Sequence, residues 1–230
     1  MENFGYIDMF ATKGIEYILV IGFLILFVAY WIWMNRSTNA QASKLARQPV
    51  TSHDWFHLMK GRYYHQGHSW VLPQNRNVVR IGIDDFAQKL LGKPSAIMLP
   101  DKGTILEQGN KGWKLKFDDK KIDMLSPVSG KVIKINQEAL QSTDLITKDP
   151  YERGWLMEVE VDNLKPNLTN LLSGPVAVAW LENVILKLRE KISPQLGLVM
   201  QDGGIPVSGF AREISPDNWE DIATDFLLTK

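Results

Sequence analysis

The chain of 230 residues contains no cysteine. Disulfides, thiolate metal sites, iron–sulfur clusters and cysteine nucleophiles are therefore excluded together. An excess of one charge is also lacking, because Lys and Arg total 26 and Asp and Glu total 26. Since there is no net positive field and no basic stripe interleaved with aromatic residues, we predict that nucleic acid is not a partner.

The sequence also lacks the motifs that mark an active site. Ser129 has no G-x-S-x-G context, and no glycine-rich phosphate-binding loop is present. The paired carboxylates Asp84-Asp85 and Asp118-Asp119 are adjacent, so in an extended chain they diverge and lack the geometry of an acid–base pair. We therefore predict that the chain is not an enzyme, and we assign no catalytic residue.

One long apolar run is present, over residues 17–34 (YILVIGFLILFVAYWIWM), and no charge interrupts it. As a helix it would be roughly 27 Å long, which is close to the thickness of a bilayer's hydrocarbon core. Aromatic side chains lie at both ends, Tyr17 at one and Tyr30, Trp31 and Trp33 at the other, as in the aromatic belts of membrane helices. The run is predicted to be a single transmembrane helix.

The residues around this helix predict its orientation. Residues 1–16 form a short N-terminal segment with one lysine, whereas Arg36, Lys44 and Arg47 follow the run. Because positive charge favours the inner side, the large C-terminal part is expected to face the cytoplasm, with the chain in the cell inner (cytoplasmic) membrane. Arg36 joins the four aromatic residues as a predicted anchor, and the polar residues 35–54 are predicted to be a linker.

Residues 55–174 alternate between apolar and polar side chains in short segments bounded by Gly, Pro and Asn, which predicts a mainly β domain. A helical spacing occurs in IDDFAQKLLG, which ends at Gly92 in a C-cap position. The predicted strands are 69–72, 78–83, 96–99, 114–117, 130–135 and 155–161.

Residues 175–230 form a predicted α-helical or mixed extension. An amphipathic helix is predicted over 175–192, with Val178, Leu181, Ile185 and Leu188 on its apolar face. The Gly203-Gly204 pair predicts a turn between two short strands, 196–201 and 205–211. Ser215 and Pro216 predict the N-cap and first position of a last helix that reaches about Leu228. Whether this extension packs on the β domain or on a neighbouring protein is left open.

Two histidines have the spacing of possible metal ligands. His53 and His57 would face the same side of a helix and could present two imidazoles to a metal or a haem. No third ligand matches them, and packing beside Trp55 and Phe56 is the preferred explanation, so no metal site is assigned. His68 is expected to support the fold.

Several motifs of the β region occur in a fixed order along about half of the chain. These motifs are YYHQGHSWV at 63–71, IGIDDFAQKLLG at 81–92, LPDKGTILEQG at 99–109, SPVSGKVIKIN at 126–136 and PYERGWL at 150–156. Together they resemble the H protein of the glycine cleavage system. The resemblance implies a barrel-sandwich hybrid of two small sheets, in which a hairpin carries the lipoyl-lysine.

The resemblance places an acid where that lysine would be. From Gly109 to Pro127 the spacing equals that of the family, and the modified lysine falls on Asp119, while the family's Glu-x-x-Lys pattern is Lys116-Phe117-Asp118-Asp119. A carboxylate cannot form an amide with lipoic acid, so no cofactor is expected. Asp119 is otherwise an ordinary polar turn residue. Lys120 and Lys121 are the fallback positions for attachment.

These features predict a non-catalytic structural or docking subunit of a larger membrane complex, respiratory or photosynthetic, built on an H-like domain that has lost lipoylation. Its predicted partners are other subunits of that complex and the lipid bilayer. An alternative is a membrane-tethered lipoyl or acyl group carrier that uses Lys120 or Lys121. A third possibility is a membrane adaptor for soluble lipoate-dependent enzymes.

Overall fold

A computed structural model of the chain describes residues 17–32, 55–192 and 206–230. Several predicted features lie outside these residues: the segment 1–16, the whole linker 35–54 with Arg36 and His53, the end of the apolar run with Trp33, and the Gly203-Gly204 turn. The chain divides into two compact units, Met1–Val50 and Thr51–Lys230.

The described part of the first unit is helix α1, residues 17–32. The side chains of Tyr17, Tyr30 and Trp31 are 67%, 55% and 54% exposed. Among the helices that the structure describes, none is both long and apolar enough to cross a membrane. The predicted span ends at residue 34, beyond the last described residue of α1, and it stays a prediction.

The second unit is built from short strands and helices. Its strands are β1 Tyr63–His65, β2 Ser69–Pro73, β3 Val78–Ile83, β4 Ala96–Met98, β5 Ile105–Leu106, β6 Lys111–Phe117, β7 Lys120–Leu125, β8 Gly130–Ile135 and β9 Met157–Glu160. Its helices are α2 Asp85–Leu91, α3 Gln137–Gln141, α4 Asp144–Lys148, α5 Leu164–Thr169, α6 Gly174–Ile192, α7 Phe210–Ile214 and α8 Trp219–Leu227.

The strands form two antiparallel sheets, as the alternation of the sequence predicts. One sheet has six strands in the order β1-β2-β3-β9-β8-β5, and the other has three in the order β4-β6-β7. The outer edge of β1 is covered by residue Leu172, whose backbone exchanges two hydrogen bonds of 2.7 and 2.8 Å with Tyr64. The predicted mainly β domain is therefore present.

Strand β2 of the larger sheet contains a tightly packed tryptophan. Trp70 is completely buried, and its indole Nε1 donates to the carbonyl oxygen of Pro150 over 3.2 Å. Gly82 lies beneath the ring, where a Cβ atom would approach Trp70 to within 2.5 Å. Only glycine fits at this position of β3, because any side chain would force the two strands apart.

Helix α2 begins at Asp85 and ends at the Gly92 cap that the sequence predicts. The Asp84 carboxylate accepts a hydrogen bond from the Ala87 amide over 2.8 Å, which caps the first turn. Gly92 follows the last turn with a φ of 76°, a left-handed conformation that favours glycine. Phe86, Leu90 and Leu91 are buried, so α2 is one of the elements that close the core.

The extension packs on the β domain, which answers the question left open by the sequence. Helix α6 buries Leu181, Ile185 and Leu188 as predicted, whereas Val178 is only half-buried and Ala177 takes its place on the buried face. Helices α7 and α8 bring Phe210 and Phe226 to ring distances of 6.0 and 5.3 Å from Phe86. The aromatic contacts join the extension to α2.

Two predictions for the extension are wrong in detail. Residues 210–214 form helix α7, not the second strand of a pair, and its N-cap is the left-handed Gly209. The last helix begins at Trp219, because Ser215 caps the end of α7 and residues 216–218 form a turn. Pro216 therefore fixes the turn between two helices and does not open the second one.

Candidate functional site

The hairpin between β6 and β7 presents two carboxylates at its tip. Phe117 pairs with Lys120, so the turn consists of Asp118 and Asp119 alone. Asp118 has a φ of 50°, a left-handed conformation that aspartate tolerates better than most residues. Both side chains are exposed to solvent. The position to which the resemblance assigns the lipoyl-lysine is thus the second residue of an exposed two-residue turn.

The hairpin has a buried face and an open face. Leu115, Phe117, Ile122 and Met124 point into the core and are at most 2% exposed. The residues between them point outward, since side chains alternate along a strand. The outward residues are Lys114 and Lys116 on β6 and Lys121 and Asp123 on β7.

Helix α8 lies against the buried face of the hairpin near its tip. The rings of Trp219 and Phe117 meet edge to face, with centroids 5.6 Å apart. The guanidinium of Arg212 stacks over both rings, at 4.4 Å from Trp219 and 5.0 Å from Phe117. It also donates from Nη1 to the carbonyl oxygen of Leu91 over 2.9 Å. The extension therefore holds the hairpin to the rest of the domain.

Lys120 takes part in the same contact. Its Nζ atom lies 2.7 Å from Oε1 of Glu220, the second residue of α8. The hydrogen bond to Glu220 raises the pKa of the Lys120 ammonium, and the charge of Asp119 acts in the same direction. A small cavity of about 350 Å³ opens beside this contact and is lined by Lys93, Pro94, Ser95, Phe117, Asp118 and Arg212. One of the two fallback lysines is thus bound to a carboxylate.

The other fallback lysine points away from α8. Lys121 is exposed and lies directly across the ladder from Lys116. In the part of the chain that the structure describes, no acidic side chain forms an ion pair with either of them, whereas Lys111 and Lys114 both approach Asp123, at 2.8 and 3.4 Å. The hairpin therefore carries two like charges side by side on its open face.

The carboxylate pair Asp84-Asp85 diverges, as predicted. Asp84 is buried, and one of its carboxylate oxygens lies within hydrogen-bond distance, 2.8 Å, of Nδ1 of His68. Its other oxygen caps α2. Asp85 turns the opposite way and binds Lys89 at 2.8 Å and the backbone amide of His57 at 2.8 Å. His68 stacks on Phe86 with ring centroids 4.3 Å apart. This buried pair connects structural elements, which agrees with the supporting role predicted for His68.

The histidine spacing does not lead to a described metal centre. His57 is exposed and lies outside any helix, so the helical relation that the prediction assumed is not formed at that residue. His53 is outside the described residues. Across residues 17–32, 55–192 and 206–230, no three or more His, Asp or Glu side chains are grouped so as to hold a metal ion.

Three residues that shape the site could not be predicted from the sequence. Arg212, Trp219 and Glu220 reach the hairpin from about a hundred positions away along the chain, beyond the range of any periodic pattern. A tryptophan and a glutamate at the start of a helix are common, and only the packing identifies them as partners of Phe117 and Lys120.

Known proteins of one family have sequences similar to this chain. A family model described as "Glycine cleavage H-protein" matches residues 62–184, more than half of the chain. A "Probable glycine cleavage system H protein" of Pyrococcus furiosus is 31% identical over 129 residues, which are 56% of this chain and 96% of that protein. The "Glycine cleavage system H protein" of Carboxydothermus hydrogenoformans is 38% identical over 110 residues, covering 48% of this chain and 83% of its own.

A solved structure is also similar. The crystal structure of a glycine cleavage system H protein from Mycobacterium marinum matches 55% of this chain and 98% of its own, with 25% identity and a TM-score of 0.48. The residues matched by the family model include the strands of the β domain and the β6–β7 hairpin. The chain belongs to the glycine cleavage H-protein family.

Proposed function

We propose that this chain is a non-catalytic structural or docking subunit of a larger membrane assembly, respiratory or photosynthetic, built on an H-protein domain that carries no lipoyl group. The observation that carries the proposal is the chemistry of the β6–β7 hairpin. Its tip offers only the carboxylates of Asp118 and Asp119, and the next amine along the chain, on Lys120, is bound to Glu220.

The attachment of a lipoyl arm needs a free, nucleophilic amine at a reachable position. An aspartate side chain cannot form the amide, and a lysine held as an ammonium by a carboxylate is a poor nucleophile. The contact between Phe117 and Trp219 also anchors the hairpin on the side where Lys120 lies. A fixed hairpin suits a docking surface better than it suits a carrier whose arm must move between partners.

The membrane part of the proposal is supported by the apolar run 17–34, with Tyr17, Tyr30, Trp31 and Trp33 at its ends, and by the basic residues that follow, beginning with Arg36. On this basis we place the chain in the inner (cytoplasmic) membrane, as a single-pass protein with its β domain on the cytoplasmic side. Lipid and neighbouring subunits are its proposed partners.

Blue-native electrophoresis of native membranes, solubilised in a mild detergent, tests the assembly. We expect the chain to migrate with other polypeptides in one band and to stay with them in a second, denaturing dimension. Migration as a free monomer under these conditions would contradict the proposal. Extraction at alkaline pH tests the membrane anchor separately, since a peripheral protein would be released and a spanning one would not.

The alternative carrier function is favoured by one observation: the amine of Lys121 is exposed and forms no ion pair with any residue that the structure describes. A Lys121→Arg variant keeps the charge but cannot be acylated. If the chain were a carrier, this variant would assemble normally and lose activity in the host complex. Lys120→Arg provides the matched control, because the Lys120 amine is already held by Glu220.

A further inference from the structure

The open face of the β6–β7 hairpin contains an unfavourable feature that the fold does not require. Lys116 and Lys121 are directly opposite each other in the antiparallel ladder, and neither forms an ion pair within the described residues. Opposed residues have Cβ atoms about 4.5–5.5 Å apart, and like charges at that spacing destabilise a sheet. An acidic residue at either position would remove the repulsion, so a local cost is retained on an exposed surface.

The charges around this pair have an ordered arrangement. On one side lie the carboxylates of Asp118 and Asp119 at the tip. On the other side Asp123 lies between Lys111 and Lys114. Partial burial acts to raise the pKa of the Asp123 carboxyl, but the hydrogen bonds from the two lysines outweigh it and lower that pKa. The open face therefore changes from negative at the tip to positive at Lys116 and Lys121, and beyond them the carboxylate of Asp123 is neutralised by its lysines.

An apolar site adjoins the charged one on the same sheet. Met98 of β4 pairs with Lys114 and is 44% exposed, although it is a large apolar residue. A shallow cavity of about 280 Å³ lies beside it, with Leu99, Pro100 and Trp113 among its lining residues. An exposed apolar residue within a charged rim is the usual composition of a protein interface.

We propose that the open face of the hairpin binds a partner protein that presents carboxylates to Lys116 and Lys121 and an apolar side chain to Met98. This inference rests on the docking function proposed above and identifies the surface and the chemistry of its partner. A lipid surface or a polynucleotide is negative throughout and would be repelled by Asp118 and Asp119, whereas a protein can match both signs. Because helix α8 already fixes the hairpin, binding costs little ordering of the chain.

Zero-length cross-linking with a carbodiimide tests the contact, since the reagent joins a lysine amine directly to a carboxylate. The full chain is isolated with its co-purifying partners, cross-linked and digested, and the linked peptides are identified by mass spectrometry. Links between Lys120 and Glu220 and between Lys111 and Asp123 serve as internal positive controls. We expect Lys116 and Lys121 to form links to Asp or Glu of another polypeptide.

Charge reversal provides the second measurement. The Lys116→Glu/Lys121→Glu variant is expected to retain about tenfold less partner. Lys102→Glu/Lys165→Glu, at two exposed lysines away from this face, changes the net charge equally and should retain the partner. If the reversed variant fails to fold, Lys116→Gln/Lys121→Gln replaces it.

The single Lys116→Glu variant should melt at a higher temperature than the wild type while binding less partner, because the new carboxylate pairs with Lys121.

Three results would overturn the inference. Retention of the partner by the Lys116→Glu/Lys121→Glu variant would show that another surface binds it, while the docking function would stand. Links between a labelled and an unlabelled copy of this chain would assign the face to self-association. The absence of any co-purifying polypeptide with the wild-type chain would instead refute the docking function itself, and the inference with it.

Discussion

Lys120 and Glu220 form an ion pair of 2.7 Å that joins the first residue of β7 to helix α8. The pair connects the hairpin, where the family's cofactor position falls, to a helix that lies outside the matched residues 62–184. With the contact between Phe117 and Trp219, it fixes the tip of the hairpin on its buried side. Two properties of the hairpin follow, the reactivity of its lysines and its stability.

Lys120 should react more slowly with acylating reagents than Lys121 does. Only the neutral amine is nucleophilic, and the hydrogen bond to Glu220 raises the pKa of Lys120. Competitive labelling with trace acetic anhydride at pH 8, read by mass spectrometry, measures both residues in one sample. Glu220→Gln should increase the labelling of Lys120 by a few-fold and leave Lys121 unchanged. Equal labelling of the two lysines in the wild type would contradict the ion pair.

Removal of the Trp219 side chain should strongly destabilise the second unit. Trp219 is 7% exposed and packs against Phe117 and Arg212, so Trp219→Ala removes a large buried ring and leaves a cavity. We expect the free energy of unfolding in urea to fall by about 3–5 kcal/mol. Asp217→Ala, at an exposed position two residues earlier, should have almost no effect. A loss as small as that of the control would show that α8 does not hold the hairpin.

The hairpin should regain lipoylation when the family's residues are restored. A Lys116→Glu/Asp119→Lys variant presents Glu-x-x-Lys at the hairpin, and Asp119 has no left-handed φ that would strain a lysine. We expect purified lipoate–protein ligase to modify this variant on residue 119 and to leave the wild type unmodified. Intact mass and fragment spectra measure the result. Modification of the wild type on Lys120 or Lys121 would favour the carrier function.

The stability of the second unit should depend on His65 in mildly acidic solution. Burial lowers the pKa of His65 below 6.5, with a smaller contribution from His68, and its Nδ1 atom accepts a hydrogen bond from the Gly67 amide over 3.0 Å. The unfolded chain therefore binds a proton at a higher pH than the folded chain. Stability should fall as the pH drops from about 6.5 toward the lower folded-state pKa, and then level off.

Urea unfolding of the wild type and of His65→Asn across this pH range checks the sign. The difference between the two curves isolates His65 from the other titrating groups of the chain. We expect the difference to shrink as the pH falls, since the variant has no imidazole to protonate. Curves that stay parallel would show that His65 makes no contribution.

Local patterns predicted the parts of the fold that depend on local physics. The alternation predicts strand β3 at residues 78–83, where Val79, Ile81 and Ile83 are buried, and the apolar spacing with the Gly92 cap predicts α2. Strands β1 and β5 contain three and two residues, too few for a periodic signal. Helix α7 was missed for the same reason, because it has five residues.

Long-range contacts were beyond the reach of these patterns. The sequence predicted Asp119 as an exposed turn residue, and the structure places it there. It does not predict that Trp219 and Glu220 contact the same hairpin, because both residues are about a hundred positions away from it along the chain. Aromatic stacking and ion pairs between distant elements follow from the tertiary fold, and no spacing rule specifies them.

The intact mass of the chain purified from its native membranes tests most directly whether the hairpin carries a cofactor. We expect the mass of the unmodified polypeptide, with peptides that contain Lys120 and Lys121 also unmodified. A mass increased by one lipoyl group, with fragments that place it on either lysine, would contradict the proposal that this H-protein domain docks other proteins without carrying a group between them.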